Sequence, residues 1–185
     1  MRQCGVSAFR IRPTRPADAE GVVRVRIAAW QAAYRGLMPD AYLNAMGHDL
    51  VQAAERLRQW LAAPHLSSML VGEDLDGTIV AMCSYGPPRD DDAPSGSGSL
   101  HAINLHPAAW GTGLGAQLLQ HAERGLAVDG YGTAYLWVVD GNARARRFYE
   151  RAGWRVEGAT KIDDQFETGV AEVRYRRVLA DRAMD

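Results

Sequence analysis

Cysteine is scarce in this 185-residue chain, which carries only Cys4 and Cys83. Two thiols make no disulfide framework, and both are expected to stay free in a reducing compartment. Neither sign of charge is in excess: 21 Lys+Arg against 22 Asp+Glu leave a formal −1, too little to draw a phosphate backbone. The five histidines (His48, His65, His101, His106, His121) form no H-E-x-x-H pattern and have no paired cysteines near them, so no metal site is expected. No stretch approaches the ~20 apolar residues that span a bilayer. The opening MRQCGVSAFRIR lacks the apolar core of a secretory signal. The expectations are no nucleic-acid partner, no membrane and a cytoplasmic location.

What remains has the balance of an ordinary globular protein, 47% hydrophobic and 23% charged. The length suits one domain over 1–185. Phe9 to Arg12 alternates apolar and charged residues, as a short strand does. Val22, Val23, Ile27, Trp30 and Tyr34 recur at helical spacing up to Gly36, and further helices are expected after Pro39 and from Leu50 to Leu61. Ser68 to Asp74 and Thr78 to Tyr85 read as two strands joined by the Asp76-Gly77 turn. PPRDDDAPSGSGS, residues 87–99, predicts a flexible loop with its three aspartates in solvent. Leu100 to Leu105 is a strand, a helix follows a glycine-rich loop, and Ala134 to Val139 is a buried strand. Asn142 to Arg151 is helical, and strands begin at Trp154 and at Val170. Strands mixed with helices imply an α/β architecture around a partly antiparallel sheet.

Gly111-Thr112-Gly113-Leu114-Gly115-Ala116 lies between a strand and a helix. Glycines there bare consecutive backbone N–H groups, and with the helix dipole these attract an anion, usually a phosphate. A P-loop is excluded because no Gly-Lys-Ser/Thr ends the run. The dinucleotide pattern G-x-G-x-x-G/A fits Gly111, Gly113 and Ala116, with Asp140 at the end of the next strand. Against it stand the spacer Pro107–Trp110 and the 45 residues left after Asp140, too few for further βαβ units.

Residues Leu105-His106-Pro107-Ala108-Ala109-Trp110-Gly111-Thr112-Gly113-Leu114-Gly115 resemble the acetyl-CoA loop of the Gcn5-related N-acetyltransferases. The family pattern there is Gln/Arg-x-x-Gly-x-Gly/Ala, so Gly113 and Gly115 match and Trp110 departs. Asn142-Ala143-Arg144-Ala145-Arg146-Arg147-Phe148-Tyr149-Glu150-Arg151-Ala152-Gly153-Trp154 is similar to the family's second signature, Asn-x-x-Ala-x-x-Phe/Tyr-Tyr-x-x-x-Gly-Phe. Ile11-Arg12-Pro13 and Ala29 to Gly36 resemble its first strand and helix. The resemblance implies a mixed, mostly antiparallel seven-stranded sheet flanked by helices, splayed between strands four (Leu100–Leu105) and five (Thr133–Val139). It implies acetyl transfer from acetyl-CoA, the cosubstrate, to a primary amine of a small molecule or peptide by direct attack. Homodimers are common among such relatives.

Residue by residue, the resemblance implies that the backbone of Ile103, Asn104 and Leu105 meets the pantetheine amides. The pyrophosphate then lies over Gly111, Thr112, Gly113, Leu114, Gly115 and Ala116, and Asn142 and Tyr149 flank the far end of the arm. Tyr149 is seven residues from Asn142, so both leave one helix face, and Tyr149 is the candidate general acid for the departing thiolate. Ser99 stands where relatives often carry a glutamate base, and it cannot act as one. His101, two residues on, is the candidate base. Trp30 and Tyr34 share a helix face and are candidates for the acceptor pocket. Asp163 and Asp164 are candidates for attracting a cationic amine, and Arg144, Arg146 and Arg147 for meeting the 3′-phosphate. Two alternatives stay open: an acyl-CoA sensor of the same fold without turnover, and a dinucleotide oxidoreductase.

Overall fold

A computed structural model describes residues 9–163 and 169–179; Cys4 and Asp164 lie outside the described residues. In chain order the elements are β1 (Arg10–Pro13), α1 (Ala19–Ala33), α2 (Asp40–Ala45), α3 (Leu50–Ala62), β2 (Ser68–Glu73), β3 (Ile79–Gly86) and β4 (Ser97–Leu105), then α4 (Leu114–Val128), β5 (Thr133–Val139), α5 (Ala143–Arg151), β6 (Arg155–Asp163) and β7 (Val170–Val178). They form one seven-stranded sheet in the order β1-β2-β3-β4-β5-β7-β6. Every neighbouring pair is antiparallel except β4 and β5, which run parallel.

Helices cover both faces. α1 carries two apolar stripes: Val22 and Val25 pack on Val71 and Met82 of the sheet, while Val23 and Ile27 pack on Ala54 of α3. On the opposite face Leu114, Leu118, Leu119, Ala122 and Leu126 of α4 meet Ala81, Cys83, Leu100, Leu136 and Val138. Burial pushes the Cys83 thiol far above its ordinary range, so it packs as an apolar group.

The hairpin follows its turn chemistry. Gly77 has φ +80°, and Asp74 Oδ1 accepts the N–H groups of Asp76 and Thr78 at 3.0 and 2.9 Å. α5 starts on Asn142, whose Oδ1 accepts the Ala145 N–H, and stops at Gly153 with φ +89°. β6 is interrupted by a register shift between Val156 and Thr160, where Gly158 has φ +101°.

The loop expected over 87–99 is the main correction. β4 begins at Ser97, and Ser97, Gly98, Ser99 and Leu100 are buried. A Cβ on Gly98 would lie 2.6 Å from Leu126 Cδ2. The glycine there marks a close approach of strand to helix, which composition alone reads as flexibility. The expected solvated aspartates also change place: Asp90 binds Tyr135, Trp137 and Lys161, and Asp92 pairs with Arg174. Asp163, a candidate for attracting a cationic amine, is the last residue of β6.

Gly125 in mid-α4 makes a similar contact. A Cβ there would meet the Tyr85 ring at 2.6 Å and its hydroxyl at 2.3 Å. Helix propensity favours alanine by ~1 kcal/mol, but overpacking a core costs ~1–3 kcal/mol. Tyr85 is buried and its hydroxyl is bonded to Ser68. Gly125→Ala is therefore expected to lower Tm; an unchanged or higher Tm in a thermal melt contradicts this packing.

Candidate active site

β4 and β5 pair only through Ser97, Gly98 and Ser99 against Thr133, Ala134 and Tyr135. Beyond Ser99 the two strands part, and a cleft of about 850 Å³ opens between them. Ile103, Asn104 and Leu105 of β4, Trp137 and Val138 of β5 and Tyr34 at the end of α1 line it, together with the glycine loop and α5. One carbonyl of the parted edge is already used: the Trp110 indole N–H donates to Leu105 O at 3.0 Å.

The glycine loop divides its labour. Gly111 and Gly113 have φ +79° and +88°, a region that favours glycine. Gly113 is the N-cap of α4 and offers no side chain to it. The Gln117 N–H is the first to bond back, to Gly113 O at 3.2 Å. The Leu114 N–H reaches Thr112 Oγ1 only at 3.4 Å. The amides of Gly115 and Ala116 find no acceptor among the described residues. Two orphan donors and a helix dipole thus face the cleft, as an anion site requires. Gly115 is helical, and its Cβ would make only ordinary contacts of 3.5 Å. Thr112 and Leu114 serve the loop from beneath: the Thr112 hydroxyl donates to Ala109 O at 2.8 Å, and the Leu114 side chain is fully buried.

Tyr149, Asn142 and Tyr34 come together in the lining of the cleft. Asn142 Oδ1 is taken by its capping bond at 3.0 Å, and its side chain also hydrogen-bonds Tyr34. Tyr149 packs between Phe148, Trp154 and Tyr175. Burial raises the pKa values of Tyr34 and Tyr149, so both phenols keep their protons. Trp30 packs edge-on against Tyr34 at 5.1 Å, in the cluster of Met38, Leu43, Val139 and Val170. Tyr34 lines the cleft directly, and Trp30 supports it.

His101 sits at an irregularity in β4. Ser84 pairs with Ala102 and Tyr85 with Leu100, so His101 is the extra residue of a bulge. Its Nε2 lies 2.9 Å from Pro87 O. A carbonyl only accepts, so Nε2 carries the proton and Nδ1, buried without a partner, keeps the lone pair. Burial lowers the pKa of this imidazole.

Near the β5 side stands a charged group with no local sequence signal. Asp90 Oδ2 accepts from the Tyr135 hydroxyl at 2.7 Å and from Trp137 Nε1 at 3.1 Å. Lys161 Nζ lies 3.4 Å from Asp90 and 3.5 Å from Glu172, and 4.3 Å over the Trp137 ring. Burial raises the pKa of Glu172, and Glu172 in turn raises that of Tyr34. Glu172 sits in an alternating strand with nothing in its sequence neighbours to mark it. Only the register that sets it opposite Val139 and Lys161 brings it here.

Among the three arginines grouped by sequence, Arg146 is spent on Asp140 and the Tyr175 hydroxyl. Arg144 and Arg147 line the cleft.

The two glycines differ in a measurable way. Gly113→Ala forces a left-handed alanine, at a cost of ~1–2 kcal/mol. It is expected to lower both Tm and coenzyme A affinity. Gly115→Ala is expected to preserve both, because the space exists and the amide stays bare. Equal behaviour of the two variants in melts and calorimetric titrations contradicts this division.

The comparisons agree with this fold. Residues 30–154 match the sequence model of the acetyltransferase (GNAT) family. YuaI, an uncharacterized N-acetyltransferase of Bacillus subtilis, is 24% identical over 91% of this chain and 89% of its own. The crystal structure of the PaiA N-acetyltransferase of Thermoplasma acidophilum, in complex with coenzyme A, superposes with a TM-score of 0.72 at 18% identity, covering 92% of this chain and 98% of that one. A GCN5-related N-acetyltransferase of Kribbella flavida gives 0.67 at 24% identity, over 93% and 98%. A family match over more than half of the chain, on a cleft built in this way, makes the protein a member of the GNAT family of acetyltransferases.

Proposed function

We propose that the protein moves the acetyl group of acetyl-CoA to a primary amine, on a small molecule or a peptide, by direct attack. The observation that carries this reading is the meeting of two features in one cleft. The orphan amides of Gly115 and Ala116 stand at the mouth of α4, and Tyr149 stands at the parted edge of β4. The first suits a pyrophosphate. The second suits a thioester sulfur at the other end of the pantetheine arm. The coenzyme A complex of the Thermoplasma relative supports the same ligand class.

The reaction balances as follows. The amine nitrogen attacks the thioester carbonyl carbon, the N–C bond forms and the C–S bond breaks. The nitrogen gives up one proton and the sulfur gains one. A free amine with pKa near ~10 is mostly charged at neutral pH, so a proton acceptor is needed first. Asp90 and Glu172 offer carboxylates to an ammonium group approaching along that side. Tyr149 holds its proton in the resting cleft and donates a hydrogen bond to the sulfur as negative charge develops there. A phenol above the ~8.5 typical of a thiol gives up that proton fully only when the phenolate is stabilised in turn. Tyr149→Phe is expected to lower kcat by ~10²-fold or more, the usual scale for a positioned proton donor, with coenzyme A affinity kept. An unchanged kcat removes Tyr149 from the chemistry, and a variant series that binds coenzyme A but never turns over favours the sensor reading.

His101, which does not itself line the cleft, is the proposed proton acceptor, its buried Nδ1 reached through a water relay rather than by the amine directly. Its pKa lies below the ~6.5 of a free imidazole. The basic form therefore dominates at neutral pH, and kcat/KM is expected to fall only as pH drops through that lowered value. His101→Asn is expected to abolish this acidic limb. If the limb survives there and vanishes in Glu172→Gln, the role belongs to Glu172, whose raised pKa places its own titration above the ordinary carboxylate range.

A further inference from the structure

Trp110 stands where the family pattern carries a glutamine or arginine, so a polar side chain is missing at the mouth of the phosphate loop. Two contacts fix what replaces it. The indole N–H donates to Leu105 O at 3.0 Å, which anchors the ring to the last residue of β4. The Arg144 guanidinium then stacks on that ring, its central carbon 3.9 Å from the ring centroid. Arg144 belongs to the first turn of α5, so the pair joins the loop before α4 to the opposite wall of the cleft. Among the described residues no carboxylate pairs with Arg144. Its neighbour Arg146 is bonded to Asp140 and Tyr175. Arg177, also on the cleft, is bonded to Glu123 and Ala152. The face of the Arg144 guanidinium is thus held by an aromatic surface, its N–H edge has no acceptor among the described residues, and Gly111 and Gly113 line the same cleft.

We propose that Arg144 is a phosphate-binding residue for acetyl-CoA and that Trp110 is its positioning residue, the indole–guanidinium stack taking over the work of the missing polar side chain. The inference rests on the reading that this cleft takes acetyl-CoA. Stacking suits the task. A guanidinium is planar and weakly hydrated, it lies flat on an indole without losing its in-plane donors, and those donors match phosphate oxygens in pairs. A long arginine tethered to solvent loses much rotamer freedom on binding, whereas one already laid on a ring loses less. The ligand chemistry is a phosphate group, either the pyrophosphate or the 3′-phosphate of the nucleotide.

The test is calorimetric titration of the full chain with coenzyme A, with dephospho-coenzyme A and with phosphate-free acetyl-pantetheine, each variant being first checked by thermal melting. Arg144→Ala is expected to weaken coenzyme A at least tenfold and to leave acetyl-pantetheine within twofold. Trp110→Ala is expected to lose a similar factor, and the double variant no more than either alone, because the two residues act as one unit. Trp110→Phe keeps a stacking face and is expected to recover much of the loss, which covers the case in which Trp110→Ala does not fold. A loss shared by dephospho-coenzyme A assigns Arg144 to the pyrophosphate; a loss confined to coenzyme A assigns it to the 3′-phosphate. Coenzyme A affinity unchanged in Arg144→Ala overturns the proposal. Losses at Trp110 and Arg144 that simply add, or a Trp110 loss equal for acetyl-pantetheine, overturn the positioning role. A wild-type chain that binds none of the three ligands overturns the acetyl-CoA reading instead.

Discussion

β4 and β5 share hydrogen bonds only from Ser97 to Ser99, and past that point the β5-facing edge of β4 has no strand beside it. Buried backbone donors and acceptors need partners, so the parted edge requires a ligand, water or side chains to satisfy it. The cleft follows from this one divergence. So does the placing of its walls. α4 begins just beyond the end of β4 and turns its N-terminus toward the gap, and α5 leaves the end of β5 on the other side. Where the strands still pair, α4 lies so close to β4 that Gly98 has no room for a side chain against Leu126.

The opening has two chemically distinct sides. Bare amides and the Arg144 guanidinium, which has no carboxylate partner among the described residues, suit phosphates. Near Trp137 lie the carboxylates of Asp90 and Glu172 together with Lys161 and Arg174. In the proposed function, a thioester laid between them would carry its anionic nucleotide toward the first side and leave its acyl carbon open to an amine from the second. Tyr34, Asn142 and Tyr149 sit between the two, and the two buried phenols remain protonated there.

Much of the frame is legible in the chain. The β2–β3 hairpin follows from Asp76-Gly77, the ends of α5 from Asn142 and Gly153, and the anion loop from Gly111 and Gly113. These are local rules of backbone and capping, and a short window of sequence contains them. The misread parts depend on what a residue meets across the fold. Gly98 looks like loop and is a packing contact with Leu126; Asp90 looks like solvated charge and accepts from Tyr135 and Trp137. Glu172 has no local mark at all, since β-strand register alone brings it to Lys161. Trp110 reads as a lost polar contact, and only α5 folded across the cleft shows Arg144 lying on it.

The most direct measurement is an amide chemical-shift titration of the 15N-labelled protein with coenzyme A, set against acetyl-pantetheine. The account predicts that coenzyme A moves the Gly113, Gly115 and Ala116 resonances strongly, while acetyl-pantetheine moves those of β4 and α5 and leaves the mouth of α4 nearly still. Coenzyme A shifts that cluster away from the α4 N-terminus would contradict it.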